Sequence, residues 1–196
     1  MDYSSVLHDI EETEACIKSY CSKYTEDIQA IDDDFEAKHN KAIRRLWKKI
    51  TNGMYIFYHD YQIKFEELSI SVNGTHTVNT VPKSATEIDR QLINYIKFYD
   101  LKYYADTEIT VNSNILKPEF TVYLPFINKY IFVKYISEDN PDNTSYIDSD
   151  RIFLQNTIYI HKNVDNFLIR YEFEMQLIKI IKHCLENNCI NINRQL

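Results

Sequence analysis

From Met1 to Asn52 the chain contains no glycine and no proline. Across that span Leu7, Ile10, Ile17, Cys21, Tyr24, Ile28, Ile31, Phe35 and Ala42 recur on alternating steps of three and four, and Glu14 and Lys38 interrupt the series. An apolar stripe sustained over several heptads predicts one long helix that needs a partner helix. At 1.5 Å per residue such a helix would run roughly 65–70 Å, longer than a compact domain of this size, so the stripe predicts dimerisation. The expected seam is Leu7, Ile10, Ile17, Cys21, Tyr24, Ile28, Ile31 and Phe35. The helix is expected to end at Asn52-Gly53, with Lys48 and Lys49 in its last turn.

Charge is segregated along the chain. Residues 1–36 carry eleven acids against two bases, residues 37–53 six bases and no acid, and residues 99–150 nine acids against four bases. With a net charge of −7, direct sequence-specific nucleic-acid binding is not expected, and a basic protein is the better partner. The run Arg44-Arg45-Leu46-Trp47-Lys48-Lys49 reads as cations at a helix C-terminus, favourable with the helix dipole, in preference to a nucleic-acid patch or a nuclear import signal. No apolar run approaches twenty residues and no N-terminal hydrophobic region precedes the helix, so neither membrane spanning nor secretion is expected.

The remainder reads as α+β. Met54 to Leu68 is dense in aromatics and reads as a buried second helix, and Asn73-Gly74 and Pro82 mark loops. Ser84 to Phe98 reads as a helix capped by Ser84 or Thr86, with Ile88, Leu92, Tyr95 and Ile96 on one face. Strands follow at 101–104, 107–111, 119–124 and 131–136, with one more between Arg151 and His161. A helix from Val164 to about Asn187-Asn188 closes the chain. The expected fold is a long N-terminal dimerisation helix, residues 1–53, and a globular domain, residues 54–196, holding an antiparallel sheet covered on one face by helices.

Chemistry-bearing motifs are sparse. Cys16 with Cys21, and His183-Cys184 with Cys189, have spacings that put the ligands on different faces of a helix, so no metal is expected. The chain has two glycines and neither a phosphate-cradling loop nor a nucleophile elbow. No cofactor and no enzymatic activity are expected. Asp106, Glu108 and Glu119 near a strand hairpin read as a solvated strand face.

Three stretches in order carry a family likeness. The first runs from Ile31-Asp32-Asp33-Asp34-Phe35 through Leu46-Trp47-Lys48-Lys49-Ile50. The second is Met54-Tyr55-Ile56-Phe57-Tyr58. The third joins Glu87-Ile88-Asp89, Tyr95-Ile96 and Leu101-Lys102-Tyr103 to Phe120-Thr121-Val122-Tyr123-Leu124-Pro125-Phe126-Ile127-Asn128-Lys129-Tyr130-Ile131 and Lys134-Tyr135. Together they resemble the nucleosome assembly protein / SET family of histone chaperones. Tyr55 and Tyr58 stand where the family has Pro and Trp, and the chain ends in Ile192-Asn193-Arg194-Gln195-Leu196 where the family commonly has an acidic tail.

The resemblance implies a homodimer of long helices carrying two "earmuff" domains, with nuclear or cytoplasmic residence. Its acidic surface would hold core histones and assist nucleosome assembly. Candidate histone-binding residues under this resemblance are Asp106, Glu108, Glu119, Glu138, Asp139, Asp142, Asp148 and Asp150, with Asp100, Glu172 and Glu174 as further contributors. The rival expectation is a coiled-coil dimeric adaptor with no histone role.

Overall fold

The computed structural model describes residues 3–60, 71–73, 78–111, 114–137, 156–162 and 164–193. The chain is α+β and divides into two units. One comprises residues 1–63 and 174–196, and the other residues 64–173.

The first unit is helical. Helix α1 spans Tyr3–Glu26, a single 3₁₀ turn spans Ile28–Ala30, and helix α2 spans Asp33–Asp60. The N-terminal segment is therefore two long helices, where the heptad stripe predicted one. Two aspartates cause the break. The Asp27 side chain accepts a hydrogen bond from the Gln29 amide at 3.1 Å and caps the 3₁₀ turn. The Asp32 side chain accepts from the Phe35 amide at 2.7 Å and caps α2. A short acceptor side chain gives the backbone an alternative to helix continuation, and Asp33, Asp34 and Glu36 favour the positive end of a new helix dipole.

The two helices fold back antiparallel. Tyr3 meets Phe57, Asp9 meets Lys49, and Tyr20 stacks on His39 and Phe35 with ring centroids 4.0 and 5.6 Å apart. The hairpin also accounts for the charge segregation. Lys49 Nζ lies 3.2 Å from Asp9 and 3.7 Å from Glu12, so part of the basic run answers the acidic stretch of α1 from the middle of α2. It does not sit at a helix C-terminus, because α2 continues past Gly53 to Asp60. The apolar face Ile43, Leu46, Ile50, Met54 and Phe57 runs through that glycine, and its burial outweighs the ~1 kcal/mol propensity cost of glycine in a helix. Residues 61–68 of the expected second helix lie outside the described residues.

The seam residues divide accordingly. Ile10 and Ile17 are buried within their own chain, Leu7, Cys21, Tyr24, Ile31 and Phe35 are half-buried, and Ile28 is 58% exposed. The stripe thus finds much of its cover inside one chain, which the estimate of a single 65–70 Å helix had excluded. The unit also holds the later part of helix α4, Asn166–Asn193, from Glu174 onward, where Leu177, Ile181 and Leu185 are buried. Lys182 Nζ reaches to 3.9 Å from Glu11.

Among the described residues the second unit holds helix α3, Glu87–Phe98, and seven strands: β1 Ser71–Asn73, β2 Lys102–Ala105, β3 Glu108–Val111, β4 Asn114–Leu116, β5 Phe120–Leu124, β6 Lys129–Ile136 and β7 Thr157–His161. They form a three-stranded sheet of order β1-β3-β4 and a four-stranded sheet of order β2-β5-β6-β7. Strands β1 and β4 were not expected from the sequence. The four-stranded sheet is mixed, not wholly antiparallel, because β7 pairs with β6 in parallel, Phe132 opposite Thr157 and Ile136 opposite His161. Residues 137–156 join those strands, a connection long enough for the crossover that parallel pairing requires. In β5 the successive residues Phe120, Thr121 and Val122 are all buried, so cover is not confined to one face there. Residues 138–150, expected as a loop, lie outside the described residues.

Candidate functional site

A cleft of about 390 Å³ opens at one end of the four-stranded sheet, wholly within the second unit. Chain register places its acids. Ala105 pairs with Phe120, so the next residues outward are Asp106 after β2 and Glu119 before β5. Ile136 pairs with His161, and Lys162 follows at the same end of the sheet. The N-terminal turn of α3 and the residues before it close the cleft with Pro82, Ser84, Thr86, Ile88 and Asp89.

Thr86 builds that wall. Its hydroxyl accepts from the Asp89 amide at 3.4 Å while Asp89 Oδ2 accepts from the Thr86 amide at 2.7 Å, a reciprocal capping box. The other oxygen of Asp89 accepts from the Tyr135 hydroxyl at 2.7 Å and ties the helix to β6. Burial, then the Asp89 carboxylate beside it, pushes the Tyr135 phenol far above its ordinary value. Tyr135 is therefore a fixed hydrogen-bond donor. Lys162 Nζ lies 5.9 Å from the Tyr135 ring centroid.

Glu119 is the electrostatically unusual member. Its Oε2 is buried without a hydrogen-bond partner among the described residues. Burial pushes its carboxyl up from 4.5, against backbone hydrogen bonds at Glu119 and Tyr135 and the charges of Lys134 and Lys162. A carboxyl raised in the folded state contributes stability that is complete below its unfolded value of 4.5 and is lost as pH rises through the raised value. Glu119→Gln is therefore expected to match the wild type near pH ~4 and to be more stable near pH ~7. Urea denaturation at both pH values checks this, and a less stable variant near neutrality would refute it.

Of the expected histone-binding acids, the structure brings Asp106 and Glu119 together in this cleft. Asp106 is exposed and sits at φ 51°, a left-handed conformation that aspartate tolerates better than most residues. Glu108 is ion-paired with Lys117. Glu138, Asp139, Asp142, Asp148 and Asp150 lie outside the described residues. The further contributors fare differently. Asp100 is exposed at φ 55°. Glu172 is engaged by His161, with Oε1 2.6 Å from Nδ1 and Oε2 accepting the amide at 2.9 Å. Glu174 is buried in the first unit and offers no surface charge.

Sequence reasoning missed Asp89, Tyr135 and Lys162. The spacing Thr86-x-x-Asp89 was a readable signal for the capping box, but the Asp89–Tyr135 bond joins residues 46 apart in sequence and left no local trace.

Cys16 Sγ lies 3.8 Å from His39 Nδ1, and burial pushes both the Cys16 and the Cys21 thiols up, away from the reactive thiolate. Among the described residues no group of three or more His, Cys, Asp or Glu side chains is gathered as a metal site requires. No helix of the described chain is long and apolar enough to cross a membrane.

Comparison with protein-family models, with curated proteins and with solved structures finds no match to this chain.

Proposed function

We propose that this chain is a non-enzymatic histone chaperone that holds core histones on the acidic surface of its strand-bearing unit and assists nucleosome assembly in the nucleus or cytoplasm. The observation that carries the proposal is the cleft at the sheet end, where Asp89, Asp106 and Glu119 meet a single lining cation, Lys162. The nine acids against four bases of residues 99–150 and the ordered family likeness support the same reading. No bond is made or broken in such a role. The acidic surface would screen the basic face of a histone until DNA displaces it.

The proposal includes a homodimer, made through the part of the stripe that the hairpin leaves accessible. Ile28 and the half-buried Tyr24, Ile31 and Phe35 cluster around the turn of the hairpin. Sedimentation of the full chain as a monomer at micromolar concentration would remove the dimer from the proposal.

Titration with core histones tests the main claim. Binding is expected at low salt, weakening steadily as the screening length shrinks from about 10 Å at 0.1 M to about 3 Å at 1 M. Absence of binding even at low salt would leave the rival adaptor role.

A further inference from the structure

We infer that the cleft at the sheet end is a receptor for a primary ammonium on an aliphatic stem, the side chain of a lysine in a basic polypeptide. The inference deepens the histone-binding reading and rests on it for the source of the lysine.

Two properties of the cleft select this ligand. Its walls are partly apolar: Phe120, itself 1% exposed, with Ile88 and Pro82. Its charged groups are three carboxylates, Asp89, Asp106 and Glu119, against one cation, Lys162, and Glu119 keeps a buried oxygen with no hydrogen-bond partner among the described residues. A buried acceptor left unpaired costs free energy, which turning of the Glu119 carboxyl toward an incoming donor would recover. A lysine side chain offers both halves of the match, methylenes for the apolar wall and three N–H donors at the tip. The volume of about 390 Å³ lies within the range of small-ligand sites and admits the side chain with part of its backbone. Lys162 gives the cleft an internal competitor. It lines the same cavity, and its charge already acts on Glu119.

The carboxylates have different roles in this picture. Asp89 is committed on both oxygens, to the α3 cap and to Tyr135, and adds charge without adding a free acceptor. Glu119 and Asp106 are the direct partners. Pairing with an ammonium favours the ionised form of Glu119, so binding releases a proton in the pH range where Glu119 is partly protonated. Affinity therefore rises with pH there. Asp89, Asp106, Tyr135, Lys134 and Lys162 are the other titratable groups around it.

The test uses the full chain and an acetylated, amidated trilysine peptide, with amide chemical-shift titration as the readout. The same peptide with Nε-acetylated lysines and free cadaverine are run alongside. Wild type is expected to bind trilysine with shifts centred on Glu119, Phe120 and Asp106, and not to bind the neutral acetylated peptide. Glu119→Gln should weaken binding about tenfold, the loss of one charge-assisted hydrogen bond. Asp106→Asn, which keeps a residue tolerant of the left-handed backbone, should weaken it several-fold. Lys162→Gln should tighten binding by removing the competing cation. Equal affinity for cadaverine and trilysine would overturn the polypeptide source. Unchanged trilysine affinity in Glu119→Gln, or equal affinity for the acetylated peptide, would overturn the receptor. If core histones bind while Glu119→Gln leaves the trilysine affinity unchanged, this inference fails and the chaperone reading stands. If trilysine binds through Glu119 and histones do not bind, the chaperone reading fails alone.

Discussion

Ile17→Asp is expected to unfold the helical unit, not simply to separate subunits. Ile17 is 2% exposed and lies on the buried face of α1 with Val6, Ile10 and Thr13. A carboxylate placed there loses its hydration and gains no partner, at a cost on the order of several kcal/mol. Whole domains are stable by only about 5–15 kcal/mol, so the substitution consumes much of the margin. The measurement is far-UV circular dichroism through a urea titration. Ser19→Asp is the control. Its position is on the exposed face of the same helix, outside the stripe, and a surface change of this kind is expected to stay within about 0.5 kcal/mol of wild type. A fully folded, merely monomeric Ile17→Asp chain would show that a partner helix, and not α2, covers the stripe.

Phe120→Ala should destabilise the second unit by about 3–5 kcal/mol, the usual range for removing a fully buried phenylalanine. The ring sits on β5, between β2 and β6, and meets Tyr103 edge-on with centroids 5.9 Å apart and planes at 71°. Truncation forfeits that aromatic pair and leaves a void that the flanking strands can fill only in part. A shift of the urea midpoint equivalent to under 1 kcal/mol would mean that the sheet collapses onto the gap, and that Phe120 contributes less to the cleft wall than its burial implies. Because Phe120 lines the cleft as well as the core, this variant does not serve as a test of ligand binding.

Local signals in the sequence were read well where one short motif determined the outcome. Thr86, one of the two caps read for α3, starts the helix, and Leu92 and Ile96 of the expected face are buried, joined by Ile93, which was not expected there. The apolar and aromatic runs at 119–124 and 131–136 locate β5 and β6. The helical character of 3–26 and 33–60 was also legible, but the reversal between them was not. Heptad spacing continues in register across Asp27 and Asp32, and periodicity does not register a cap inside an unbroken stripe. The charge blocks held the missing clue, since an acidic stretch followed by a basic one suits two antiparallel helices better than one. Strands β1 and β4 are three residues each, too short to carry an alternation. The parallel partner of β6 depends on a pairing across residues 137–156, which no local pattern reports. For the candidate site, the acids Asp106 and Glu119 were visible as composition. Their convergence on Asp89, Tyr135 and Lys162 comes from register and from a helix cap, and so appears only in three dimensions.

The first unit is assembled from two separated stretches of chain, residues 1–63 and 174–196, while the second is a single stretch, 64–173. On the ribosome that order matters. The α1–α2 hairpin is made before the stretch from residue 174 that completes its unit, with the whole of the second unit in between. The strand-bearing unit can complete itself in the meantime, as contiguous domains generally do during translation. A nascent chain with residue 173 just clear of the ribosome would thus present a finished sheet and an unfinished helical unit with apolar residues awaiting cover, the species on which a general folding chaperone would be expected to act.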